Sequence, residues 1–105
     1  IESLEACKNA KDIASIDGVD LLFVGPGDLS ADMGFIKNRA AKEVKEMAIK
    51  VLQDANKCNK PCGIMVSNIT EAKEMIQLGF AIVAVTTDLV LLRNAVDEIA
   101  QLSKK

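Results

Sequence analysis

Apolar residues recur every three or four positions in four stretches of the chain, which is the spacing of amphipathic helices. The predicted helices cover residues 3–15, residues 42–57, the stretch after Asn68 and the stretch after Asp88. Asn68 and Glu71 have the spacing of a capping box, and Gly79 stands where a helix C-terminus favours glycine. For the last helix, the pattern predicts a cap at Asp88 and a buried inner face of Leu89, Leu92, Val96, Ile99 and Leu102.

Between the predicted helices lie three short, uninterrupted apolar runs, at residues 21–24, 63–66 and 80–85. Runs of this length between turn residues are typical of parallel strands that are buried on both faces. Ile1 is interpreted as the end of one more strand. Strands that alternate with helices predict an α/β fold, either a barrel or a doubly wound sheet. Because three strands alone would leave two open edges, we expect the chain to be part of a larger structure.

Composition and charge exclude several classes of function. The 105 residues, 50% of them hydrophobic, suffice for one domain with an aliphatic core. The 13 basic residues are scattered, the net charge is −2 and the only aromatic residues are 3 Phe, so we expect no nucleic-acid groove. No apolar run approaches the ~20 residues of a membrane span and no signal-peptide pattern is visible, so we expect no membrane partner. The odd number of cysteines makes a reducing, cytoplasmic setting the default expectation.

Cysteine and histidine usage restricts the chemistry further. Cys7, Cys58 and Cys62 are odd in number, and a zinc site would lack further ligands because the chain has no His, so we expect ordinary reduced thiols. The absence of His also rules out a Ser-His or Cys-His nucleophile within the chain. Any catalysis by this chain would therefore depend on carboxylates, Lys, backbone amides or a metal.

Acidic residues follow the carboxyl ends of two predicted strands, where α/β proteins place their sites. Glu2 follows the first strand end, and Asp28 follows the turn Gly25-Pro26-Gly27. Neighbouring parallel strands lie about 4.8 Å apart, so the two carboxylates would share one mouth and repel each other unless a cation lay between them. Mg²⁺ or Mn²⁺ suits such a pair, and the amides of Gly27 and Asp28 are suited to hold a substrate carboxylate. The alternative is that Asp28 caps a helical turn and Glu2 is a solvated surface acid.

The run FVGPGDLSADMG at residues 23–34 closely resembles the HpcH/HpaI aldolase family, and Gly18-Val19-Asp20 before it matches as well. The resemblance begins with residues 1–6 and continues through residues 60–64 and 78–92, so it covers essentially the whole chain. It implies a (β/α)8 TIM barrel, of which residues 1–105 would be a single partial domain in the C-terminal half, with the last three strands and their flanking helices. It also implies a homo-oligomer.

The resemblance implies a function as well: reversible cleavage of 4-hydroxy-2-oxo acids into pyruvate and an aldehyde. Glu2 and Asp28 match the family's metal ligands, which implies Mg²⁺, Mn²⁺ or Co²⁺ as the cofactor. Gly27 and Asp28 match positions at the pyruvate end of the substrate, where Gly27 offers its backbone amide to the carboxylate. Met65 matches a position that lines the pocket near the aldehyde end.

The family's catalytic Arg and its His–Asp proton-transfer pair lie in the first half of the barrel, and Arg39 and Arg93 do not match that Arg. No residue of this chain is therefore assigned a catalytic role. We expect little or no turnover by the isolated chain, with the missing N-terminal half of the barrel as its partner. The chain also departs from the family at residues 37–41, which replace a Pro-rich stretch, and at Thr86-Thr87, where the family has Gly beside a variable residue.

Two other interpretations stay open. The chain resembles, more distantly, enzymes like citrate lyase β or malyl-CoA lyase, which act on acyl-CoA substrates and use the same pair of acidic metal ligands. The run at residues 28–34 favours the aldolase branch. The other interpretation is a non-catalytic half-barrel that binds a partner, or a second copy of itself, through its open sheet edges.

Overall fold

Three strands and six helices alternate through residues 1–104, which are the residues that the computed structural model describes. The strands are β1 (Leu22–Val24), β2 (Cys62–Val66) and β3 (Ile82–Val85). The helices are α1 (Leu4–Lys8), α2 (Ala10–Ser15), α3 (Pro26–Asp32), α4 (Lys42–Lys57), α5 (Ile69–Leu78) and α6 (Asp88–Gln101). Within this range every helix is too short or too polar to span a bilayer.

The three strands run parallel in the order β1-β2-β3, as consecutive β-α units require. Gly63 stands at the centre of the sheet, paired with Phe23 on one side and Ile82 on the other. Ile1 continues the sheet beyond β1, because its amino group donates to the Phe23 carbonyl at 2.7 Å and its own carbonyl accepts from the Gly25 N–H at 3.1 Å. Ile1 is therefore hydrogen-bonded along the edge of β1, and its interpretation as the end of one more strand stays a prediction.

The core lies between one face of the sheet and α4. Alternate strand residues point toward the helices and are buried, namely Leu22, Val24, Cys62, Ile64 and Val66. On the opposing helix the buried apolar residues are Val44, Ala48, Val51, Leu52 and Ala55. The apolar face predicted for residues 42–57 is therefore confirmed, with the predicted bounds.

α5 begins and ends at the residues that the sequence predicts. The Asn68 side chain accepts a hydrogen bond from the Glu71 N–H at 2.9 Å, which caps the first turn. The Glu71 carboxylate reaches back to the Ser67 N–H at 2.8 Å, one residue before the position that a strict capping box uses. Gly79 ends the helix with a φ of 105°, a left-handed conformation that glycine adopts without strain.

The single helix predicted over residues 3–15 is divided in two at Asn9. Asn9 has a ψ of 6°, outside the helical range, and its N–H donates to carbonyls of α1. The Asn9 side chain makes no capping hydrogen bond, but asparagine has a low helix propensity, which favours a break at this position. The apolar pattern nevertheless survives the break, since Cys7, Ala10 and Ala14 are all fully buried.

The predictions for the last strand and the last helix are partly wrong. β3 is shorter than residues 80–85 and is not buried, because Ile82 is 50% exposed. α6 has no buried residue, and the predicted inner face is exposed, with Leu92 at 64% and Ile99 at 67%. The reason is that no part of residues 1–104 covers these surfaces, and the radius of gyration is accordingly 15.8 Å rather than the ~13 Å of a compact domain of this length.

The cap of α6 also differs from the prediction. Thr87, not Asp88, is the N-cap residue, and its hydroxyl accepts a hydrogen bond from the Val90 N–H at 3.3 Å. Asp88 is the first helical residue, and its carboxylate accepts from the Leu89 N–H at 2.8 Å. A carboxylate in the first turn still stabilises the helix through the positive end of its dipole.

Candidate metal and substrate site

Glu2 is held at the carboxyl edge of the sheet by its neighbours on both sides. Before it, the two backbone hydrogen bonds of Ile1 fix the chain against β1. After it, the Ser3 hydroxyl caps α1 by accepting from the Ala6 N–H at 3.1 Å. The Asp32 carboxylate accepts from the Leu4 N–H at 2.7 Å and so ties the start of α1 to the end of α3. The backbone at Glu2 is therefore fixed by contacts that do not involve its own carboxylate.

The Glu2 side chain lies directly against Gly25. A Cβ atom built on Gly25 would fall 2.8 Å from Glu2 Oε1, closer than real Cβ atoms approach, and 3.0 Å from Glu2 Cγ, which is a tight contact. Gly25 therefore leaves the space in which the Glu2 carboxylate lies. By contrast, a Cβ on Gly27 would meet nothing within 4 Å, so the space in front of that residue is open to a ligand.

Asp28 lies in the first turn of α3, directly after Gly27 in the sequence. Gly25 is the N-cap and Pro26 occupies the first helical position, so the interpretation of Asp28 as the capping residue is not supported. The first turn of α3 has no side-chain cap, which leaves the amides of Gly27 and Asp28 without a side-chain acceptor. The buried Ser30 hydroxyl donates to the Gly27 carbonyl at 2.6 Å and stiffens the turn.

The two acidic side chains are chemically available. Both are exposed, and neither takes part in any of the ion pairs formed among residues 1–104. No cluster of three or more His, Cys, Asp or Glu that would hold a metal is found in this range, so the chain contributes at most a pair of carboxylates. Carboxylate oxygens without a soft or imidazole ligand fit a hard cation such as Mg²⁺ or Mn²⁺, which completes its coordination with water and substrate oxygens.

Met65 lies in the next strand along the same edge. Val24 pairs with Ile64, so the register places Met65 beside Gly25, one position further along both strands. Met65 is half-buried on the face of the sheet opposite the helices, the face that also carries Phe23. The structure thus places Glu2, the Gly25 turn and Met65 in order on three adjacent strand ends.

Thr86 marks the carboxyl end of β3 with an unusual conformation. Its φ is 61°, which is rare for a β-branched residue, and its N–H donates to the Val66 carbonyl at 2.9 Å. The Thr86 hydroxyl is buried, and no residue in 1–104 accepts or donates a hydrogen bond to it. The sequence indicates only a turn here, because nothing in the amino-acid pattern of Thr86-Thr87 reveals a left-handed φ.

The cysteines take no part in this site. All three are free thiols, and Cys7 and Cys62 are buried. Burial raises the pKa of Cys62 to about 11, and it also raises the pKa of Cys7 above its usual value. Because both buried groups remain protonated at neutral pH, they are poor metal ligands and poor nucleophiles.

Residues 1–95 match the model of the family described as HpcH/HpaI aldolase/citrate lyase. A relative from Shigella sonnei (strain Ss046), named 4-hydroxy-2-oxo-heptane-1,7-dioate aldolase, is 39% identical to this chain over 100 residues. The aligned region covers 95% of this chain but 38% of the relative. The chain therefore spans less than two fifths of the length of the curated relatives that it matches.

Solved structures of the same family also match all of this chain with only part of their own length. An HpcH/HpaI aldolase/citrate lyase family protein from Burkholderia cenocepacia J2315 superposes with a TM-score of 0.88 at 27% identity, and the match covers all of this chain and 41% of that one. An HpcH/HpaI aldolase from Desulfitobacterium hafniense DCB-2 gives a TM-score of 0.92, also over all of this chain and 41% of that one. The second protein is 24% identical, so it supports the fold alone. The prediction of part of an aldolase TIM barrel is confirmed.

Proposed function

Because the chain belongs to the HpcH/HpaI aldolase/citrate lyase family, we propose that it carries the metal ligands of an aldolase that cleaves 4-hydroxy-2-oxo acids into pyruvate and an aldehyde. The observation that supports this most is the placement of the Glu2 carboxylate against Gly25, in the turn that leads to Asp28. The name of the Shigella sonnei relative, a 4-hydroxy-2-oxo-heptane-1,7-dioate aldolase, agrees with this class of reaction.

Each residue of the site has a defined task in the proposal. Glu2 and Asp28 hold a divalent cation, Mg²⁺ or Mn²⁺ with Co²⁺ as a further candidate, and this cation would draw electron density from the substrate's 2-oxo group. The open space at Gly27 lets the substrate carboxylate reach the amides of Gly27 and Asp28, which lack a side-chain cap. Met65 presents an apolar, adaptable side chain beside Gly25, where it would contact the aldehyde portion of the substrate.

The proposal assigns no proton transfer to this chain. The sequence contains no His, and the aldol cleavage needs a group that accepts the proton of the substrate's 4-hydroxyl. We infer that this group comes from a further polypeptide segment that completes the barrel, as the 38% coverage of the relatives suggests. The exposed strand β3 and the exposed faces of α6 are where such a segment, or another copy in a homo-oligomer, would pack.

An acyl-CoA lyase is the second candidate, since the family's own description includes citrate lyase. Such an enzyme would use the same pair of carboxylates to bind its substrate. The two reactions use different substrates and release different products. An assay with each substrate therefore distinguishes them, whereas metal binding does not. The 39% identity to a protein named as a heptanedioate aldolase favours the aldolase.

Pyruvate release tests the proposal. The chain is mixed with a polypeptide that carries the part of the Shigella sonnei relative outside the matched 38%, and pyruvate is measured with 4-hydroxy-2-oxo-heptane-1,7-dioate and Mg²⁺. We expect turnover from the mixture, little or none from the chain alone, and a loss of more than about 100-fold in Glu2→Gln and Asp28→Asn. Asp17→Asn, at an exposed turn acid, is the matched control. Full activity in the two site variants, or cleavage of malyl-CoA in place of the 2-oxo acid, would contradict it.

A further inference from the structure

A cavity lies on the helix side of the sheet, and Glu2 is not among the residues that line it. It has a volume of about 180 Å³ and opens between the N-terminal half of α4, α5 and the carboxyl end of β2. Its walls are largely aliphatic, with Ala40, Val44, Ala48, Ile64, Val66 and Met75 among them. By the volume that water occupies in the liquid, the space accommodates about six non-hydrogen atoms.

One charged group in this cavity lacks a partner. Arg39 Nη2 is fully buried, and no residue within 1–104 accepts a hydrogen bond from it. Guanidinium groups remain charged in proteins, so this nitrogen cannot lose its proton to relieve the cost of burial. A buried charged donor without an acceptor is strongly unfavourable, and native proteins normally supply one.

The other charged residues around the cavity are already engaged. Lys45 Nζ pairs with the Glu74 carboxylate, and Glu71 accepts from the Ser67 N–H at 2.8 Å. The pairing of Lys45 with Glu74 leaves no net charge from those two residues. Arg39 is therefore the group that determines what a ligand must bring, which is an acceptor oxygen with negative charge.

We propose that this space, the Arg39 cavity, is a binding site for a small aliphatic monocarboxylate. The carboxylate accepts hydrogen bonds from the Arg39 guanidinium, a charge-assisted pairing that is stronger than one to a neutral carbonyl. The carbon chain lies against Val44, Ile64 and Met75, which are buried apolar residues of the wall. A dianion such as phosphate is disfavoured, because Glu71, whose carboxylate has no cationic partner within residues 1–104, lines the same space.

This site is separate from the proposed metal site. Neither Glu2 nor Asp28 lines the Arg39 cavity, and its ligand needs no cation. Pro26 and Met65, at the end of the strand, also line the cavity and adjoin the Gly25 turn, so the two sites are neighbours. Butyrate binding is nevertheless measured without a cation, so its outcome is distinguishable from that of the aldolase test.

Butyrate, which has six non-hydrogen atoms, is the probe. Binding to the full chain is followed by ¹H–¹⁵N chemical-shift titration, and contacts are located by NOEs from the butyrate methyl group. We expect a Kd on the order of 1 mM, with NOEs to the side chains of Val44 and Met75. Butyramide, which has the same shape without the charge, is expected to bind at least about tenfold more weakly.

Two variants decide whether Arg39 is responsible. Arg39→Gln should weaken butyrate binding at least about tenfold, while Arg93→Gln, at an exposed arginine of α6, should leave it unchanged. The ¹H–¹⁵N spectrum of each variant reports whether its fold is retained. In a second test, Ala48→Leu places a larger side chain in the cavity wall and should also weaken butyrate binding. Unchanged affinity in Arg39→Gln, equal binding of butyramide, or NOEs to other parts of the chain would overturn the proposal.

Discussion

The Glu2 carboxylate occupies the space that a side chain at Gly25 would fill, with Glu2 Oε1 2.8 Å from the position of the missing Cβ. The two residues are 23 positions apart in the sequence. They meet because Ile1 forms backbone hydrogen bonds with both Phe23 and Gly25. The glycine at position 25 is therefore part of the proposed metal site, although it offers no ligand atom.

Gly25→Ala should displace the Glu2 carboxylate. The new methyl group would approach both Oε1 and Cγ of Glu2, and the flexible side chain would turn away while the backbone stays in place. We expect Mn²⁺ affinity to fall by about tenfold, with a loss of less than about 1.5 kcal/mol in the free energy of unfolding. Isothermal titration calorimetry and urea unfolding measure the two quantities.

Gly27→Ala is the matched control for that variant. A Cβ at Gly27 meets nothing within 4 Å, and the residue lies in the first turn of α3. Alanine there should leave Mn²⁺ affinity unchanged and raise the free energy of unfolding by up to about 0.5–1 kcal/mol. Equal Mn²⁺ affinity in Gly25→Ala and Gly27→Ala would show that Gly25 has no role in placing Glu2.

Thr86→Gly should stabilise the chain. Thr86 has a φ of 61° and a buried hydroxyl without a partner in residues 1–104, and glycine would relieve both penalties. We expect a gain of about 1 kcal/mol in the free energy of unfolding, measured by urea titration with circular dichroism. Thr87→Ala, which removes the N-cap of α6, should instead lose about 0.5–1 kcal/mol. A loss of stability in Thr86→Gly would contradict this account.

Stability should fall at alkaline pH because of Cys62. Burial raises the pKa of the folded thiol to about 11 from its ordinary value of 9.0, so the unfolded chain releases the proton first. This contribution is fully present below pH 9 and is lost as pH rises toward 11. We expect a loss of roughly 2 kcal/mol across that window. Urea unfolding at several pH values measures how the free energy of unfolding changes with pH. Between pH 9 and 11 this change should be smaller in Cys62→Ala, where Cys7 remains, than in the wild type, and an equal change would refute the assignment.

Asp54 should contribute to stability with the opposite pH dependence. Its buried carboxylate accepts from Lys50 Nζ at 2.6 Å and from Lys57 Nζ at 3.2 Å, and Lys50 also donates to the Cys7 carbonyl. The hydrogen bond from Lys50, with that from Lys57, lowers the pKa of Asp54 despite its burial. Because the folded pKa lies below the unfolded one, this stabilisation is present above the unfolded value of 3.8 and is lost as pH falls through the folded pKa.

Asp54→Asn tests this contribution. At pH 7 the variant should be less stable by about 1 kcal/mol, because two charge-assisted hydrogen bonds are weakened. The difference from the wild type should shrink as the wild-type carboxylate becomes protonated in acid. Asp97→Asn, which removes an exposed pair with Arg93, should change stability by less than about 0.5 kcal/mol and serves as the control.

The sequence predicts correctly those helices whose apolar face packs on strands of this chain, or whose ends are capped by residues nearby in the sequence. α4 has the predicted bounds because its apolar face, from Val44 to Ala55, packs on strands within the same chain. The cap at Asn68 and the left-handed Gly79 depend on residues three or four positions away, which a sequence reveals directly. The break at Asn9 was not predicted, because burial on both sides of it preserves the helical pattern.

What the sequence could not predict depends on contacts between distant residues. The apolar residues of α6 indicate a face that packs against another element, but they do not indicate which element. Within residues 1–104 nothing packs on this face, and Leu92 and Ile99 remain exposed. The positions of Glu2 and Asp28 followed from the strand ends, whereas the close approach of Glu2 to Gly25 required the register of the sheet. The unpartnered Arg39 nitrogen has no sequence signal, since it arises from the packing of α4 and α5 around it.

Mn²⁺ binding followed by electron paramagnetic resonance tests most directly whether Glu2 and Asp28 share a cation. Titration of the chain should show one bound Mn²⁺, with affinity lowered at least about tenfold in Glu2→Gln and in Asp28→Asn. The double variant should lose little more than either single variant, because each carboxylate needs the other to hold the ion. Wild-type Mn²⁺ affinity in both single variants, or loss in one of them alone, would contradict a shared site.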